Sequence, residues 1–480
     1  MIIRKKKSDK FFSYIIKTLK FFSYLSLIFI IVVLLLSKNT LIFKTLTNRF
    51  LTHFVGESIT SINNFSELID YIPMAISGTL KINSYPKIEV KMKQNQILKV
   101  FSESTIRKEG SAKIVLLDED SILKAKVRTK GDREIHRESF DKTSLRVNMR
   151  GEDRLFGLDK FSIQHPIMRG YTWEFLVASV MSQLQIVTPS STLINYYFNG
   201  ENRGIYVVEE VPSSRTLERQ GRKAGPIFGL EEKYNINLNE RTLFDYYETK
   251  TWEGTKLLEN SKQVLYEFIE NLENDNYQLD KYFDLEKWAK YFAVSDLFGT
   301  YHGTIPKSVK FYSNPVTGKI EPIFFDGHKG AGNFDNFLLL DFIQNKDVKC
   351  EYICEHRLFY TVFLKDSKFL KEYVGALNYV SSNKFLTEVK NIYNKEFKSL
   401  DREFYSKLMP SDGIFHRQFN FYHFDFDEIY KRANLIEGAL ERFRENENLK
   451  ILKKTKIHES NELIADSYLE IIDVKNFNFI

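Results

Sequence analysis

The chain has 480 residues, 43% of them apolar and 28% charged, with a net charge of +6. That length suits two or three domains, and that composition excludes a disordered or fibrous chain. Seven basic residues and one acid within residues 1–20 account for the whole excess charge, so the remainder is neutral and carries no nucleic-acid footprint.

Residues 1–20 read as a basic cytoplasmic tail. Phe21 to Leu36 is apolar except for Ser23, Tyr24 and Ser26. As a helix it spans about 24 Å, short of a hydrocarbon core of roughly 30 Å. Extension to Ser37 and snorkelling lysines make residues 21–37 a membrane anchor. The cations precede it, which predicts a cytoplasmic N-terminus and an extracytoplasmic main domain. Ser37-Lys38-Asn39-Thr40 offers no small-x-small cleavage motif, which argues against a removed signal peptide.

Residues 38–84 form a juxtamembrane connector. Ile88, Val90 and Met92 alternate with charged residues, as a half-buried strand does. Lys113–Leu117 and Leu123–Val127 flank Asp118-Glu119-Asp120-Ser121, a hairpin. Thr143–Met149 is a further strand. Trp173, Val177, Val180 and Leu184 give a helix over 171–184. Asn199-Gly200 links two more strands, 192–198 and 204–208. Residues 85–212 therefore read as a β-rich lobe, a twisted antiparallel sheet with one embedded helix. Residues 213–450 are mostly helical, with long patterns over 252–272 and 285–298 and a hairpin around Pro315-Val316-Thr317-Gly318. Residues 451–480 are a polar tail. Cys350 and Cys354, at helical i, i+4 spacing, read as two buried thiols, not a disulfide. The fold class is α+β. A β-rich N-lobe followed by an α-rich C-lobe is the outline of a two-lobed, protein-kinase-like fold, here behind an N-terminal transmembrane helix.

Phosphoryl transfer needs cations for phosphate, carboxylates for Mg²⁺, and a group to orient the acceptor hydroxyl. Arg128, Lys130, Lys142 and Arg146 lie on or near polar strand faces, where they are either solvated or phosphate-binding. Glu174 stands where such a fold places its orienting carboxylate; a structural ion pair with Arg169 is the other reading. Glu209 ends a buried strand at the lobe junction, where it either meets a ligand or caps a turn. Asp326 follows the apolar strand Ile323-Phe324-Phe325 and precedes Gly327, a position suited to Mg²⁺ and also common in turns. His302, 24 residues before Asp326, has the chemistry of a general base. His302, Asp326 and His328 are also of transition-metal-binding type, but no H-x-x-x-H or H-E-x-x-H spacing supports a metal hydrolase. No G-x-S-x-G is present, so a serine hydrolase is excluded.

Four segments occur in order: Lys130-Gly131-Asp132; Phe161-Ser162-Ile163-Gln164-His165-Pro166; Asn199-Gly200 with Gly204-Ile205-Tyr206; and Glu321-Pro322-Ile323-Phe324-Phe325-Asp326-Gly327. Over roughly residues 85–335 this series resembles the spore-coat protein H (CotH) kinase-like family, especially its membrane-anchored bacterial branch. The resemblance implies an atypical kinase-like fold. It assigns Asp326 to Mg²⁺ and makes Lys130 and Lys142 to Arg146 paired cationic strands. It implies transfer of phosphate from ATP or another nucleotide to a protein or envelope-glycan hydroxyl. The family's better-studied kinases carry a Trp-Asp-x-x-x-x-Asn-like loop upstream of the metal aspartate. Here Gly299 to Ser308 contains neither Asp nor Asn. His302 stands in that place, and Ser308 is left as a weak Mg²⁺ ligand. Asp296 is the nearest upstream acid, but its helical pattern removes it from the loop. A catalytically inactive scaffold that binds an envelope polymer or a protein is the alternative.

Overall fold

The computed structural model describes residues 85–102, 108–131, 143–230, 244–273, 278–306, 308–328, 334–344, 350–407 and 426–460. The expected anchor over 21–37, the connector over 38–84 and Lys142 lie outside these residues. No helix among the described residues is long and apolar enough to cross a membrane. The chain divides into two compact units. One comprises Met1–Leu80 with Arg402–His423, the other Lys81–Asp401 with Phe424–Ile480. The second unit is α+β, as the sequence indicates.

Seven strands form the β-rich part: β1 Lys87–Lys91, β2 Gly110–Leu116, β3 Ser121–Thr129, β4 Leu145–Met149, β5 Lys160–Gln164, β6 Ser191–Phe198 and β7 Glu201–Glu210. They do not make an open antiparallel sheet. The order β1-β2-β3-β4-β5-β7-β6 closes into a barrel through a parallel β1–β6 pairing. Closure removes the exposed edges that an open sheet would leave. The β6–β7 turn is the expected Asn199-Gly200, both at positive φ, 47° and 88°, which suits the right-handed twist of a tight hairpin.

Alternation decides the two faces. Val127, Leu145, Val147, Phe161, Ile163, Tyr206 and Val208 point inward into one apolar cluster. Arg128, Lys130, Arg146, Ser162, Gln164 and Glu209 must then share the outer face. The helix α1 (Gln94–Phe101) joins β1 to β2, and α2 (Thr172–Gln183) joins β5 to β6. Residues 166–169 form a single 3-10 turn just before α2.

The predicted hairpin around Pro315 is present as β10 Lys310–Ser313 and β11 Ile320–Ile323. It belongs to a second sheet, β11-β10-β8-β9, with β8 at Ile227–Leu230 and β9 at Phe244–Tyr246. These two strands fall in the region expected to be mostly helical; each is only a few residues long, too short to show a period. The helix α3 (Lys256–Glu273) starts after Gly254, and α4 (Leu285–Phe298) has the predicted bounds. Asp284 caps α4, accepting from the Lys287 amide at 3.2 Å. Gly299, at φ 63°, ends it in the left-handed conformation. Trp288 of α4 is fully buried against Phe311 and Phe363. The long helix α5 (Phe426–Ser460) enters the segment read as a polar tail, so helix covers its first ten residues.

Cys350 and Cys354 form a disulfide with Cα atoms 5.3 Å apart, which corrects the expectation of two thiols. The expectation assumed one continuous helix. Cys350 instead lies outside the helical turn Glu351–Cys354, with φ −143° and ψ 30°. That departure from helical backbone changes the direction of its side chain.

Candidate functional site

The outer barrel face forms a grid fixed by register. Lys130 donates its amide to Ser144 at 2.8 Å. Arg128 pairs with Arg146, Arg146 with Ser162, and Ser162 with Glu209. Like charges directly across a ladder are unfavourable, so Arg128 opposite Arg146 costs stability without an anion or acid nearby. Glu209 is the acid that holds this face together. It accepts from Lys130 Nζ at 3.0 Å, and from Arg169 Nη2 at 2.8 Å with Nε at 2.7 Å. Lys130 also donates to Gln164 Oε1 at 3.2 Å.

Arg169 is the hub. It is 6% exposed and sits in the short turn after β5. Beyond Glu209, its Nη1 pairs with Asp326 Oδ1, and its Nε lies 3.8 Å from Glu174 Oε2. Phe325 lies against the guanidinium at 5.5 Å and against Lys130 Nζ at 5.9 Å, both within cation–π range. The sequence points to Arg169 only as a structural partner of Glu174. Its signal was weak because its carboxylates come from three separate elements.

The charges respond strongly to burial. Burial brings the Lys130 ammonium down to about 7, aided by Arg169 and Arg146 and opposed by Glu209. Burial alone would raise Glu209, but Arg169 and Lys130 hold it at about 2. Burial pushes Glu174 up to about 7, against the pull of Arg169. Burial lowers Arg146 to about 10. Burial would lower Arg169 too, yet Glu209 and Glu174 outweigh it and raise it. The carboxylate that orients Lys130 is therefore Glu209, not Glu174. Glu209 is spent on these cations, so it is not a free ribose ligand.

Several polar atoms here are unfulfilled. Arg146 Nε, Ser162 Oγ, Gln164 Nε2 and Glu174 Oε2 are buried without a hydrogen-bond partner. Each such group costs free energy until something pairs it. Near them lies a small, partly open pocket lined by the charged Arg169, Glu174 and Glu209 and the apolar Phe175, Pro189, Val207, Phe324 and Phe325.

Two loops complete the site. Tyr301–Thr304 is a 3-10 turn carrying His302. The 326–328 loop follows β11, with Asp326 at φ 58°. Glycines let the loops touch: a Cβ on Gly303 would lie 2.9 Å from the Phe325 carbonyl and 3.0 Å from Gly327 Cα. His302 Nδ1 is thereby 3.2 Å from Asp326 Oδ2, and His328 Nε2 is 3.6 Å from Asp326 Oδ1. Asp296 takes no part at the pocket. It is fully buried, accepting from Tyr301, Tyr373 and the Leu339 amide.

The family model for CotH kinase protein matches residues 127–406, more than half of the chain. The chain belongs to the CotH kinase family. No curated protein matches it. The CotH match starts at Val127, within β3, and runs beyond residue 335 into the helical region, so it is shifted relative to the extent read from motifs. It contains Arg128, Lys130, Arg146, Arg169, Glu174, Glu209, His302 and Asp326, which the fold brings together. Arg128 donates to the Thr129 carbonyl at 3.2 Å and lies opposite Arg146 at the edge of the group. Ser308 is buried in a turn, its amide bonded to the Ile305 carbonyl at 2.9 Å. No described contact joins Ser308 to Asp326. Lys142 lies outside the described residues.

The donors around Asp326 do not fit the Mg²⁺ expected of this family. Mg²⁺ takes oxygen ligands in octahedral array, whereas Asp326 is flanked by two imidazoles and holds a guanidinium on one oxygen. The ligand atoms of His302, Asp326 and His328 do lie within 4.8 Å of one another. The two imidazoles stack at 4.2 Å with planes 22° apart. Each ring turns one nitrogen toward Asp326, an N-donor set that suits a transition metal and not Mg²⁺.

Proposed function

We propose that this protein is a membrane-anchored, extracytoplasmic member of the bacterial CotH kinases. Its cleft binds the phosphates of a nucleotide and passes phosphate to a protein or envelope-glycan hydroxyl. One observation carries the reading: Arg146 Nε, Ser162 Oγ and Gln164 Nε2 are buried donors without acceptors, beside the oriented cations Lys130 and Arg169. A phosphate oxygen supplies the missing acceptors and meets positive charge at once.

The apolar walls at Phe175, Val207 and Phe324 suit a nucleobase, with its phosphates directed toward Lys130 and Arg146. Glu209 keeps Lys130 in place. His302, its Nδ1 held 3.2 Å from the Asp326 carboxylate, has the chemistry to take a proton from an acceptor hydroxyl. The extracytoplasmic placement rests on the basic tail before the apolar segment 21–37 and on the Cys350–Cys354 bridge, since disulfides persist in oxidising compartments.

A non-catalytic binder is the second reading. It is favoured by Gly299 to Ser308, which lack the acid and amide of active relatives, and by the Arg169 contact on Asp326. Full-length protein in detergent, tested for ATP-dependent thermal stabilisation and for transfer of labelled γ-phosphate to envelope fractions, separates the two. Stabilisation of roughly 2.7 kcal/mol is expected at a hundredfold excess of nucleotide over Kd. Binding without transfer supports the scaffold. A folded protein that binds no nucleotide refutes the phosphate-site reading.

A further inference from the structure

We propose that Arg169 fills the place of a divalent cation in this cleft, so that phosphate binding is independent of metal. This inference rests on the phosphate-site reading above. In a phosphoryl-transfer site of the usual kind, a divalent ion links an aspartate to the phosphate oxygens. Here the aspartate's cation is already part of the chain. Arg169 Nη1 pairs with Asp326 Oδ1, and its other face is held by Glu209 at 2.7 and 2.8 Å. Glu174 approaches Nε at 3.8 Å.

Three carboxylates thus converge on one guanidinium in a nearly buried position. A metal-free cluster of three carboxylates would repel itself and require an ion. With Arg169 between them that requirement is met by a fixed cation, held by partners from β7, α2 and the loop after β11. A guanidinium also presents several N–H donors in a planar fork, a shape that matches carboxylate and phosphate oxygens.

The charges nearby favour an anion without further help. Lys130, Arg128, Arg146 and Arg169 face Glu209, Glu174 and Asp326, so positive groups outnumber negative ones. The unpartnered donors on Arg146, Ser162 and Gln164 lie on the same barrel face. The ligand class is therefore a phosphate ester taken up as the bare anion, not as its magnesium complex. Of the three residues that could bind an ion instead, His302 and His328 stack with planes 22° apart, and Asp326 Oδ1 is engaged by Arg169.

The test is titration calorimetry on full-length protein in detergent with ATP, once in EDTA and once in excess Mg²⁺. Affinities within about threefold of each other are expected. Arg169→Gln is expected to abolish binding in EDTA. If that variant misfolds, Arg146→Gln, which leaves the carboxylate cluster intact, is expected to weaken binding about tenfold or more in EDTA and in Mg²⁺ alike. Binding seen only with Mg²⁺ overturns the inference while leaving the phosphate site standing. Binding that appears only with Zn²⁺ assigns an ion to His302, Asp326 and His328 and also overturns it. No binding under any condition removes the phosphate site itself.

Discussion

Arg169 and Asp326 are paired through one guanidinium nitrogen and one carboxylate oxygen, although they come from the turn after β5 and the loop after β11. The pair ties the barrel to the second sheet. Its two halves are not equivalent. Arg169 also carries Glu209 and Glu174, whereas Asp326 is 22% exposed and can turn toward water. Removing Arg169 strands buried carboxylates, a change that costs roughly 3–5 kcal/mol. Arg169→Ala should therefore lower stability by that amount in a denaturant titration. Asp326→Ala should cost less, about 1–2 kcal/mol, because Arg169 keeps two partners. Arg169→Lys should fall close to Arg169→Ala, since one ammonium cannot hold Glu209 in bidentate fashion and reach Asp326 as well.

Lys130 is expected to make phosphate binding depend on pH near neutrality. Burial first, then Arg169 and Arg146, bring its pKa down to about 7. Its positive charge is thus lost as pH rises through that value, and affinity for phosphate should fall there. A bound phosphate favours the charged form and moves the fall upward. Calorimetry across this range should show a decline that Lys130→Arg removes. The linkage to stability has the opposite sense. Between about 7 and 10.5 the unfolded chain binds more protons than the folded one, so this residue's contribution to stability rises with pH.

Much of the fold is legible in the sequence where a local pattern suffices. The Asn199-Gly200 hairpin and the helix Leu285–Phe298 follow from turn chemistry and apolar spacing. Barrel closure is not local: β1 meets β6 in parallel, Ile88 beside Tyr196, and nothing near either strand announces it. The same holds for the site. Asp326 is recognisable as a carboxylate between an apolar strand and a glycine. Arg169 is not, because a basic residue in a turn gains meaning only from Glu209 and Asp326, which the fold delivers. The cysteines misled for a related reason. Their spacing is helical, but Cys350 itself is not in helical conformation.

The Cys350–Cys354 bridge closes a very short loop, so its effect on the unfolded chain is small, about 2 kcal/mol by loop-closure entropy. Tyr352, inside that loop, packs its ring 6.4 Å from His302 and 5.5 Å from Phe334. Thiol titration of denatured, unreduced protein should find no free thiol, and both cysteines after reduction. The double variant Cys350→Ser with Cys354→Ser should lose about 2 kcal/mol or less in a melt. Two titratable thiols in freshly purified, unreduced protein would contradict the bridge and weaken the extracytoplasmic placement.

Asp296 should give the stability curve an acid-side slope. Burial pushes its carboxyl up to about 6, against hydrogen bonds from Tyr301, Tyr373 and the Leu339 amide. The folded state therefore holds a proton that the unfolded state releases near 3.8. Stability falls as pH climbs between these values and has lost this contribution, up to about 3 kcal/mol, by neutrality. Asp296→Asn removes the titration. The amide oxygen keeps the Leu339 amide, and the amide nitrogen can donate to the Tyr373 hydroxyl. The difference in stability between the variant and the natural chain should thus grow in the variant's favour as pH rises through that window. Asp296→Ala should behave otherwise. It leaves the Leu339 N–H and the Tyr373 hydroxyl without their acceptor, while Tyr301 keeps the Phe337 carbonyl at 2.9 Å and the Arg432 Nη2 donor at 2.8 Å, and should cost about 3 kcal/mol or more. Denaturant titrations of all three proteins across that acid range measure this. Parallel curves for the natural chain and Asp296→Asn would show that the carboxyl does not titrate there.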